Sequence, residues 1–509
     1  MDILTIGLPE LATWPCLLSI LLGCIIGLWA GALPGLSGVS AIAIILPLTF
    51  GMDPLPALLL LTSIHTASEY GGAISAILMN VPGDASAAAA AFDGYPLARQ
   101  GKAGLALGAS SLSSLTGAFF GSLLVATAAP LLLRLVVAFG PSEYFALALL
   151  GLTVVSVVSA GSALRGLAMS LLGICVSFIG LDPVLGVARY TFGSVYLQAG
   201  IGFIPIVTGL FAISELIFMI LRGGAVAETG RLSGSLWHGI AFAASRPFVL
   251  AKSFVIGAVL GLLPGIGATA TNFLAYSLIQ KTSRHPDSFG RGNPEGVMAP
   301  EVANNACIHA AMIPALTMGV PGGAGSALLI VALTIQGLRP GPLLFTSNPG
   351  LINGLYAGLF ASALGSFLLM TVFIRVFARV TLVRLEILAP VLLVLSIIAS
   401  YAAQNSMIDL FAAVVFGLLG YGLRRAGFPL VNLMMGFILG KLLETSFSQA
   451  LMISGGRVSV FVERPITLGI LLVVGLLLGS KASRSFLKKR TKKRPNTGPG
   501  LSGKAGSNE

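Results

Sequence analysis

The chain has 509 residues, of which 56% are hydrophobic and only 9% charged, and its mean hydropathy is +0.95. A soluble domain usually carries about 25% charged residues, so this composition excludes a soluble protein and indicates that lipid surrounds most of the surface. The formal net charge of +12 is concentrated in residues 481–509, directly after an apolar stretch. That position favours a cytoplasmic end that attracts anionic membrane lipid, and no nucleic-acid partner is expected.

Apolar stretches close to the roughly 20 residues of a membrane-spanning helix recur along the whole chain. In chain order they cover residues 15–31, 55–79, 104–130, 144–161, 163–181, 199–221, 248–263, 350–374, 385–403, 407–423, 427–443 and 465–480. Shorter or interrupted stretches lie near 36–50, 269–280, 306–319 and 324–336. The pattern predicts an all-α polytopic membrane protein with about 12 transmembrane spans plus half-helices. Because no basic residue precedes the first stretch, we expect a retained helix and not a signal peptide.

Two glycine- and proline-containing motifs occur twice, in the same order. The segment GALPGLSG at 31–38 resembles GLLPGIGA at 261–268, and ILMNVPGD at 77–84 resembles LTMGVPGG at 316–323. Two ordered matches with nearly equal separations predict two related halves. The predicted organisation is a first repeat (1–222), a cytoplasmic linker (223–247), a second repeat (248–464), a final transmembrane helix (465–480) and a disordered basic cytoplasmic tail (481–509).

The charges predict that the two repeats are inverted relative to each other. The linker is basic and therefore expected in the cytoplasm, whereas the acidic start of the chain favours the periplasm. Each half must then cross the membrane an odd number of times, so the second half enters from the opposite side. Inverted repeats with broken or re-entrant helical hairpins are typical of secondary transporters.

The broken helices predict where a solute binds. A Pro-Gly break frees backbone N–H and C=O groups that lipid cannot satisfy, and a half-helix that starts after the break presents N–H donors to an anion. Simple packing of small residues is the alternative. The predicted substrate-binding residues are Asn80, Pro82, Gly83, Asp84, Ser86, Gly319, Pro321, Gly322, Gly323, Ser326, Asn304 and Asn305.

A coupling ion, Na⁺ or H⁺, is expected near the same breaks, and no other metal or cofactor. Freed carbonyl groups and hydroxyl or amide oxygens suit Na⁺, which gives the cation-binding candidates Pro34, Gly35, Pro264, Gly265, Thr269 and Asn272. Ionisable residues at membrane depth are costly, so His65, Glu69 and His309 are candidates for a proton or specificity role, with a structural polar cluster as the alternative. Asp93, Arg99 and Lys102 are interpreted as a charged loop that sets topology, with a contact between Arg99 and a substrate carboxylate as the alternative.

At these motifs the chain resembles the large membrane subunit of the tripartite tricarboxylate transporter family. The matching blocks lie at 33–35, 70–84, 93–104, 261–267, 295–306, 313–323 and 337–342. The resemblance implies a symporter for carboxylates in the bacterial inner membrane, with a small membrane subunit and a periplasmic solute-binding protein as partners. His65 and Glu69 depart from the small and aromatic run that usually precedes Tyr70-Gly71-Gly72 in this family.

The sequence therefore predicts a secondary active symporter that imports a small organic carboxylate anion with Na⁺ or H⁺. A passive anion channel is one alternative, although an internal repeat in one chain is more typical of a transporter. A membrane-embedded enzyme is the other, but the chain has only four His and no HExxH or GxSxG motif, so we expect no enzymatic activity. It also lacks a GxxxxGK[ST] nucleotide-binding motif.

Overall fold

The computed structural model describes residues 3–33, 35–158, 163–222, 233–263, 266–380, 385–404 and 406–492. Up to the predicted linker, its α-helices are α1 (Leu8–Leu11), α2 (Trp14–Ala32), α3 (Gly38–Ile45), α4 (Pro54–Met79), α5 (Ala88–Arg99), α6 (Ala103–Val136), α7 (Pro141–Val158), α8 (Ala163–Ser177), α9 (Phe203–Val207) and α10 (Ser214–Arg222). Strands β1 (Gly180–Leu181) and β2 (Ala188–Arg189) pair antiparallel as a short hairpin.

The rest of the chain continues the helical fold. Its α-helices are α11 (Leu236–Ala244), α12 (Pro247–Leu262), α13 (Gly267–Thr282), α14 (Pro294–Ala310), α15 (Met312–Met318), α16 (Ala324–Ile335), α17 (Pro342–Ser347), α18 (Pro349–Val380), α19 (Leu385–Gln404), α20 (Met407–Arg425), α21 (Leu430–Ile453), α22 (Val460–Glu463) and α23 (Pro465–Lys492). Single turns of π-helix lie at Ile3–Gly7 and Thr208–Ile213, and 3₁₀ turns at Leu46–Thr49, Ala85–Ala87, Tyr196–Ala199 and Pro286–Ser288.

The expectation of an all-helical, multi-pass membrane protein is confirmed. Within the described ranges six helices are long and apolar enough to cross a membrane, or seven if α11 and α12, which meet at 79°, form one bent span. The other apolar helices are shorter, with 10–17 residues. About twelve spans were predicted from hydropathy alone, which does not distinguish a full crossing from a helix that ends at a break inside the bundle.

Helix α4 lies at the centre of the bundle. Of its 26 residues all but Pro54 and Leu60 are buried. Helix α2 approaches it closely through Gly23, Gly27 and Gly31, where an added Cβ would meet the α4 backbone. Small residues four apart permit such helix contacts in membranes. The close packing holds the polar face of α4 away from lipid.

The two Pro-Gly breaks have the same local geometry. Helix α4 ends at Asn80 with φ of 55°, and α15 ends at Gly319 with φ of 70°. A left-handed residue at this position is a common helix C-cap. After each cap the chain turns through the break, and a new helical segment begins at Ala85 or Ala324.

The linker and the tail are described only in part. Residues 223–232 of the predicted linker lie outside the described residues, whereas α11 packs against the start of α6, where a Cβ on Gly104 or Gly108 would meet the chain at 234–239. Helix α23 begins at the start of the predicted span, 465–480, and extends to Lys492. Lys and Arg are good helix formers. The remaining tail, 493–509, lies outside the described residues.

Candidate functional site

A cavity of about 320 Å³ lies between the two Pro-Gly breaks. The first break contributes Asp84, Ala85 and Ser86 to its wall, and the second contributes the run from Gly322 to Ser326. Helix α4 adds His65 and Glu69, and the start of α13 adds residues 267–269. The interrupted segments from both halves therefore meet at one space inside the bundle.

Glu69 connects the two halves at this cavity. The residue is 5% exposed, and its Oε2 atom accepts hydrogen bonds from Ser86 Oγ at 3.1 Å and from Asn304 Nδ2 at 2.6 Å. The other oxygen, Oε1, lies 4.0 Å from His65 Nδ1, one helical turn earlier. One carboxylate thus contacts the first break, α4 and α14 together.

Two amide side chains present unused oxygens beside this network. Asn272 Nδ2 donates to the carbonyl oxygen of Ser86 at 2.9 Å, and Asn304 Nδ2 donates to Glu69. Within the described residues, neither Oδ1 atom has a hydrogen-bond partner, although both are buried. A buried carbonyl oxygen without a partner is costly, so these oxygens are suited to receive a cation, a proton donor or water.

The second break is held by its own serine and by a histidine from the first half. Ser326 Oγ accepts from the Gly323 N–H and donates to the Gly323 carbonyl oxygen, both at 3.0 Å. The His65 ring covers Gly325 so closely that a Cβ there would overlap Nε2. The start of α16 therefore needs a glycine at this position, and His65 contacts both the cavity and the second half.

The structure brings together only part of the predicted site. Among the predicted residues, those that line the cavity are Asp84, Ser86, Gly322, Gly323, Ser326, Thr269, His65 and Glu69. Asn272 and Asn304 support it through hydrogen bonds. The caps and backbone positions Asn80, Pro82, Gly83, Gly319 and Pro321 shape the breaks but are not on the cavity wall.

Three further predicted groups lie apart from the cavity or outside the described residues. Asn305 Nδ2 donates to the Glu301 carbonyl oxygen, and His309 Nδ1 pairs with the Asn305 carbonyl oxygen. Both residues lie against α6 and not on the cavity wall. Gly35 turns with φ of 85° next to Glu215. Pro34, Pro264 and Gly265, the predicted cation ligands of the two LPG turns, lie outside the described residues.

Asp93 corrects one expectation from the sequence. The residue was interpreted as part of a charged loop, but it lies within α5 and is fully buried. Its Oδ1 accepts from the backbone N–H groups of Gly292 and Asn293 at 2.9 and 2.8 Å, and its Oδ2 accepts from Tyr276 Oη at 2.7 Å. All three donors come from the other half of the chain, over 180 residues away. The sequence around Asp93 therefore does not predict these hydrogen bonds.

We expect Asp93→Ala to lower the thermal stability of the purified protein markedly. The change leaves three donors without their acceptor, and each buried unpaired donor costs about 1–3 kcal/mol. Tyr276→Phe, which removes only the hydroxyl donor, should have a smaller effect. Arg99→Ala changes an exposed residue of the same helix and is the control. Thermal unfolding in detergent gives the comparison, and equal midpoints for Asp93→Ala and Arg99→Ala would contradict it.

The polar groups of the cavity determine how an anion could bind. None of the described residues on its wall is Lys or Arg. Negative charge must therefore be met by backbone N–H groups at the start of the half-helices, by hydroxyl donors, and by a cation or proton that neutralises Glu69 or Asp84. The site is suited to bind an anion and a cation together.

Comparison with known proteins identifies the group to which this architecture belongs. Residues 17–435 match the family described as "Tripartite tricarboxylate transporter TctA family". The chain is 37% identical over 469 residues to the "Uncharacterized 52.8 kDa protein in TAR-I ttuC' 3'region" of Agrobacterium vitis, with 92% of each chain covered. It is 37% identical over 233 residues to the "Uncharacterized protein in TAR-II ttuC' 3'region" of the same organism, which covers 45% of this chain and 96% of the relative.

No solved structure matches the chain. The family match extends over most of the sequence, including both LPG motifs and both Pro-Gly breaks, and the family consists of transporters and not of enzymes. The chain belongs to the tripartite tricarboxylate transporter TctA family.

Proposed function

We propose that the chain is the large membrane subunit of a secondary active symporter in the bacterial inner membrane, which imports a small organic carboxylate anion together with Na⁺ or H⁺. The observation that carries the proposal is the single cavity shared by both Pro-Gly breaks. A small membrane subunit and a periplasmic solute-binding protein are its proposed partners, because the family is a tripartite system.

The cavity size favours a small solute. Ligand sites usually have volumes of about 300–1,000 Å³, and this cavity of about 320 Å³ lies at the lower end of that range. The backbone N–H groups in the first turn of α16 are the proposed donors for a carboxylate, because the Ser326 hydroxyl already donates to the Gly323 carbonyl oxygen. Asp84 and Ser86 line the opposite break.

The charge of the site supports co-transport with a cation. An anion next to Glu69 and Asp84 is repelled unless positive charge enters with it. Na⁺ could be held by the unpartnered Oδ1 atoms of Asn272 and Asn304, since amide oxygens are good ligands for hard cations. A proton could instead reside on Glu69. The Na⁺ alternative places the cation between α13 and α14, whereas the proton alternative places it on the α4–α14 contact.

Matching contacts support the proposal of two repeats. In each half a helix with spaced glycines ends at the LPG segment. An added Cβ on Gly31 of α2 would overlap a backbone oxygen of α4, which precedes the first break. An added Cβ on Gly261 of α12 would overlap a backbone oxygen of α14, which precedes α15 and the second break. Gly31 and Gly261 are the first residues of the two matching motifs, 31–38 and 261–268.

Contacts near the two ends of α4 support the inverted arrangement. Gln336, after the second break, donates from Nε2 to the carbonyl oxygen of Thr49, 3.1 Å away, shortly before α4 begins. Gln100, after the first break, donates from Nε2 to the carbonyl oxygen of Arg291, 2.9 Å away. Its helix α5 lies against the last turns of α4, where a Cβ on Gly94 would meet Ile77, so the segments that follow the two breaks lie towards opposite ends of α4. Such opposed repeats are the framework for alternating access.

Transport by reconstituted protein tests the proposal. The chain is incorporated into liposomes with its small subunit and binding protein, and uptake of a panel of labelled organic acids is measured with Na⁺ gradients, pH gradients or neither. We expect concentrative uptake of at least one acid, dependent on one gradient. Counterflow separates a carrier from the channel alternative, because a channel gives unsaturable flux and no exchange. Failure to concentrate any acid would overturn the symporter proposal.

The β1–β2 hairpin is the proposed docking site for the solute-binding protein. The membrane span Phe203–Leu221 ends at the linker, which is predicted to be cytoplasmic. The hairpin precedes the opposite end of that span, so we place it on the periplasmic side. Arg189 pairs with Asp182 at 3.2 Å and with Glu444 of α21, which fixes the hairpin to the bundle. Beyond it, the Phe192 side chain is 91% exposed, and exposed aromatic residues on a fixed surface are typical of interface anchors.

We expect Phe192→Ala to lower uptake that depends on the binding protein about ten-fold, the loss typical of a truncated anchor residue. Counterflow measured without the binding protein should be unchanged, because Phe192 is not on the cavity wall. The two assays use the same liposome preparation. Equal losses in both assays would show that Phe192 supports the fold and not the partner.

A further inference from the structure

A second cavity, of about 430 Å³, lies at the bend between α11 and α12. Its wall carries the basic residues Arg246, Lys252 and Arg284 and the acidic residue Glu295. The loop after α13 closes its other side. This cavity is separate from the transport cavity, because the two share no lining residue.

The second cavity has positive charge in excess. Glu295 Oε1 lies 3.6 Å from Arg246 Nε, and Glu295 Oε2 accepts from Ser283 Oγ at 2.8 Å. Within the described part of the chain, neither Lys252 nor Arg284 has an ion-pair partner, and both are exposed. Two basic side chains are therefore available to an anion, beside an arginine that is already oriented.

An apolar groove continues from this cavity along the outside of α12 and α13. The groove, of about 440 Å³, shares Lys252, Ile279 and Thr282 with the basic cavity. Its other lining residues are Ala251, Val255, Ile256 and Leu278. A ligand that fills both spaces needs an anionic group at one end and a hydrocarbon chain at the other.

The position of the cavity fits the surface of a membrane. Trp237 of α11 is 68% exposed and Phe248 at the start of α12 is 79% exposed, and exposed aromatic side chains are common at the boundary between lipid and water. Helix α11 turns by 79° from α12, as expected of a short helix that lies along the surface. The linker that precedes it is predicted to be cytoplasmic, the side on which anionic lipids attract basic clusters.

We propose that the basic cavity and its groove bind an anionic phospholipid, with the phosphate held by Arg246, Lys252 and Arg284 and one acyl chain lying along Val255 and Leu278. Charge complementarity and the continuous groove favour a lipid over a free anion, which would use only the basic end. The lipid joins α12 to α13, whose first residues, 267–269, line the transport cavity. Its binding therefore stabilises the packing of α12 against α13.

The test measures lipid binding and needs no knowledge of the transported solute. The full chain is purified in detergent, and the affinity for phosphatidylglycerol is measured by native mass spectrometry, with phosphatidylcholine as the neutral lipid. We expect selective binding of phosphatidylglycerol, and an affinity about 30-fold lower in the double variant Lys252→Gln with Arg284→Gln. The double variant Lys281→Gln with Arg291→Gln removes the same charge from nearby exposed positions outside the cavity and should bind as the wild type does.

Two further measurements exclude simpler explanations. The charge-conserving double variant Lys252→Arg with Arg284→Lys should retain most of the binding, which separates charge recognition from a loss of fold. Glycerol phosphate, which has the head group without acyl chains, should not displace the lipid at equal concentration. Equal losses in both charge-removing variants, wild-type affinity in the cavity variant, or displacement by glycerol phosphate would each overturn the proposal.

Discussion

Replacing Glu69 by alanine is expected to lower solute uptake about 100-fold. The change leaves Ser86 Oγ and Asn304 Nδ2 without the acceptor that they share. Each hydrogen bond to a charged group contributes about 1.5–3 kcal/mol, and a loss of roughly 3 kcal/mol corresponds to about 100-fold in affinity or rate. The effect should be large because Glu69 contacts the first break and α14 at once, so its loss separates the groups that form the cavity wall.

The control for this variant is Glu463→Ala, which removes an exposed carboxylate outside the cavity. Uptake is measured in liposomes with the organic acid that the wild type transports best, and the amount of folded protein is checked by size-exclusion chromatography. Glu463→Ala should retain wild-type uptake. If Glu69→Ala transports at the wild-type rate, the cavity at the α4–α14 contact is not the transport site.

The variant Glu69→Gln distinguishes coupling to protons from coupling to Na⁺. Glutamine keeps the shape of the side chain and one hydrogen-bond acceptor but cannot release a proton at physiological pH. For a proton-coupled carrier, this variant should exchange solute in counterflow while it fails to concentrate solute against a gradient. For a Na⁺-coupled carrier, accumulation and exchange should decrease together, since the proton on Glu69 has no part in the cycle.

The sequence predicts local features of this protein well. Pro82-Gly83 and Pro321-Gly322 interrupt helices where they were expected to, since proline removes a donor and glycine accommodates unusual backbone geometry. Asp84, Ser86 and Gly322 line one cavity, as expected of breaks at matching positions. Glu69, predicted as a candidate because an ionisable group at membrane depth is costly, lies on the wall of the same cavity.

Features that depend on distant contacts were not accessible from the sequence. Asp93 is bound by donors almost two hundred residues away, and His65 covers Gly325 across the two halves. Asn305 and His309 share the helical spacing of Asn304, yet they lie against α6 and not on the cavity wall. Spacing along one helix does not identify the face that meets the cavity. These features depend on which helices pack against each other, and hydropathy contains no information about that packing.

Alanine at Gly83 is expected to lower uptake about 100-fold, and alanine at Gly322 about ten-fold. A Cβ on Gly83 would overlap the carbonyl oxygen of Gly31, which is fixed in helix α2, whereas a Cβ on Gly322 would lie 2.7 Å from the Ala311 Cβ. Overpacking of this kind costs about 1–3 kcal/mol, and the backbone contact is the less adaptable of the two. Each added Cβ would push its break away from the residue that supports it, which is Gly31 for Gly83 and Ala311 for Gly322.

Neighbouring glycines supply the controls and make the comparison specific. A Cβ on Gly72 would lie 3.5 Å from the Ala87 Cβ, an ordinary contact, and a Cβ on Gly323 would meet nothing within 4 Å. Gly72→Ala should retain wild-type uptake, and Gly323→Ala should retain the wild-type unfolding midpoint in detergent although it narrows the cavity. If Gly83→Ala transports as well as Gly72→Ala, the first break is not held against α2 during transport. The atoms nearest to an added Cβ at Gly83 or Gly322 belong to the same half of the chain as the glycine. Parallel losses at Gly83 and Gly322 would therefore indicate that each break must stay packed on its own half while the cavity between them opens.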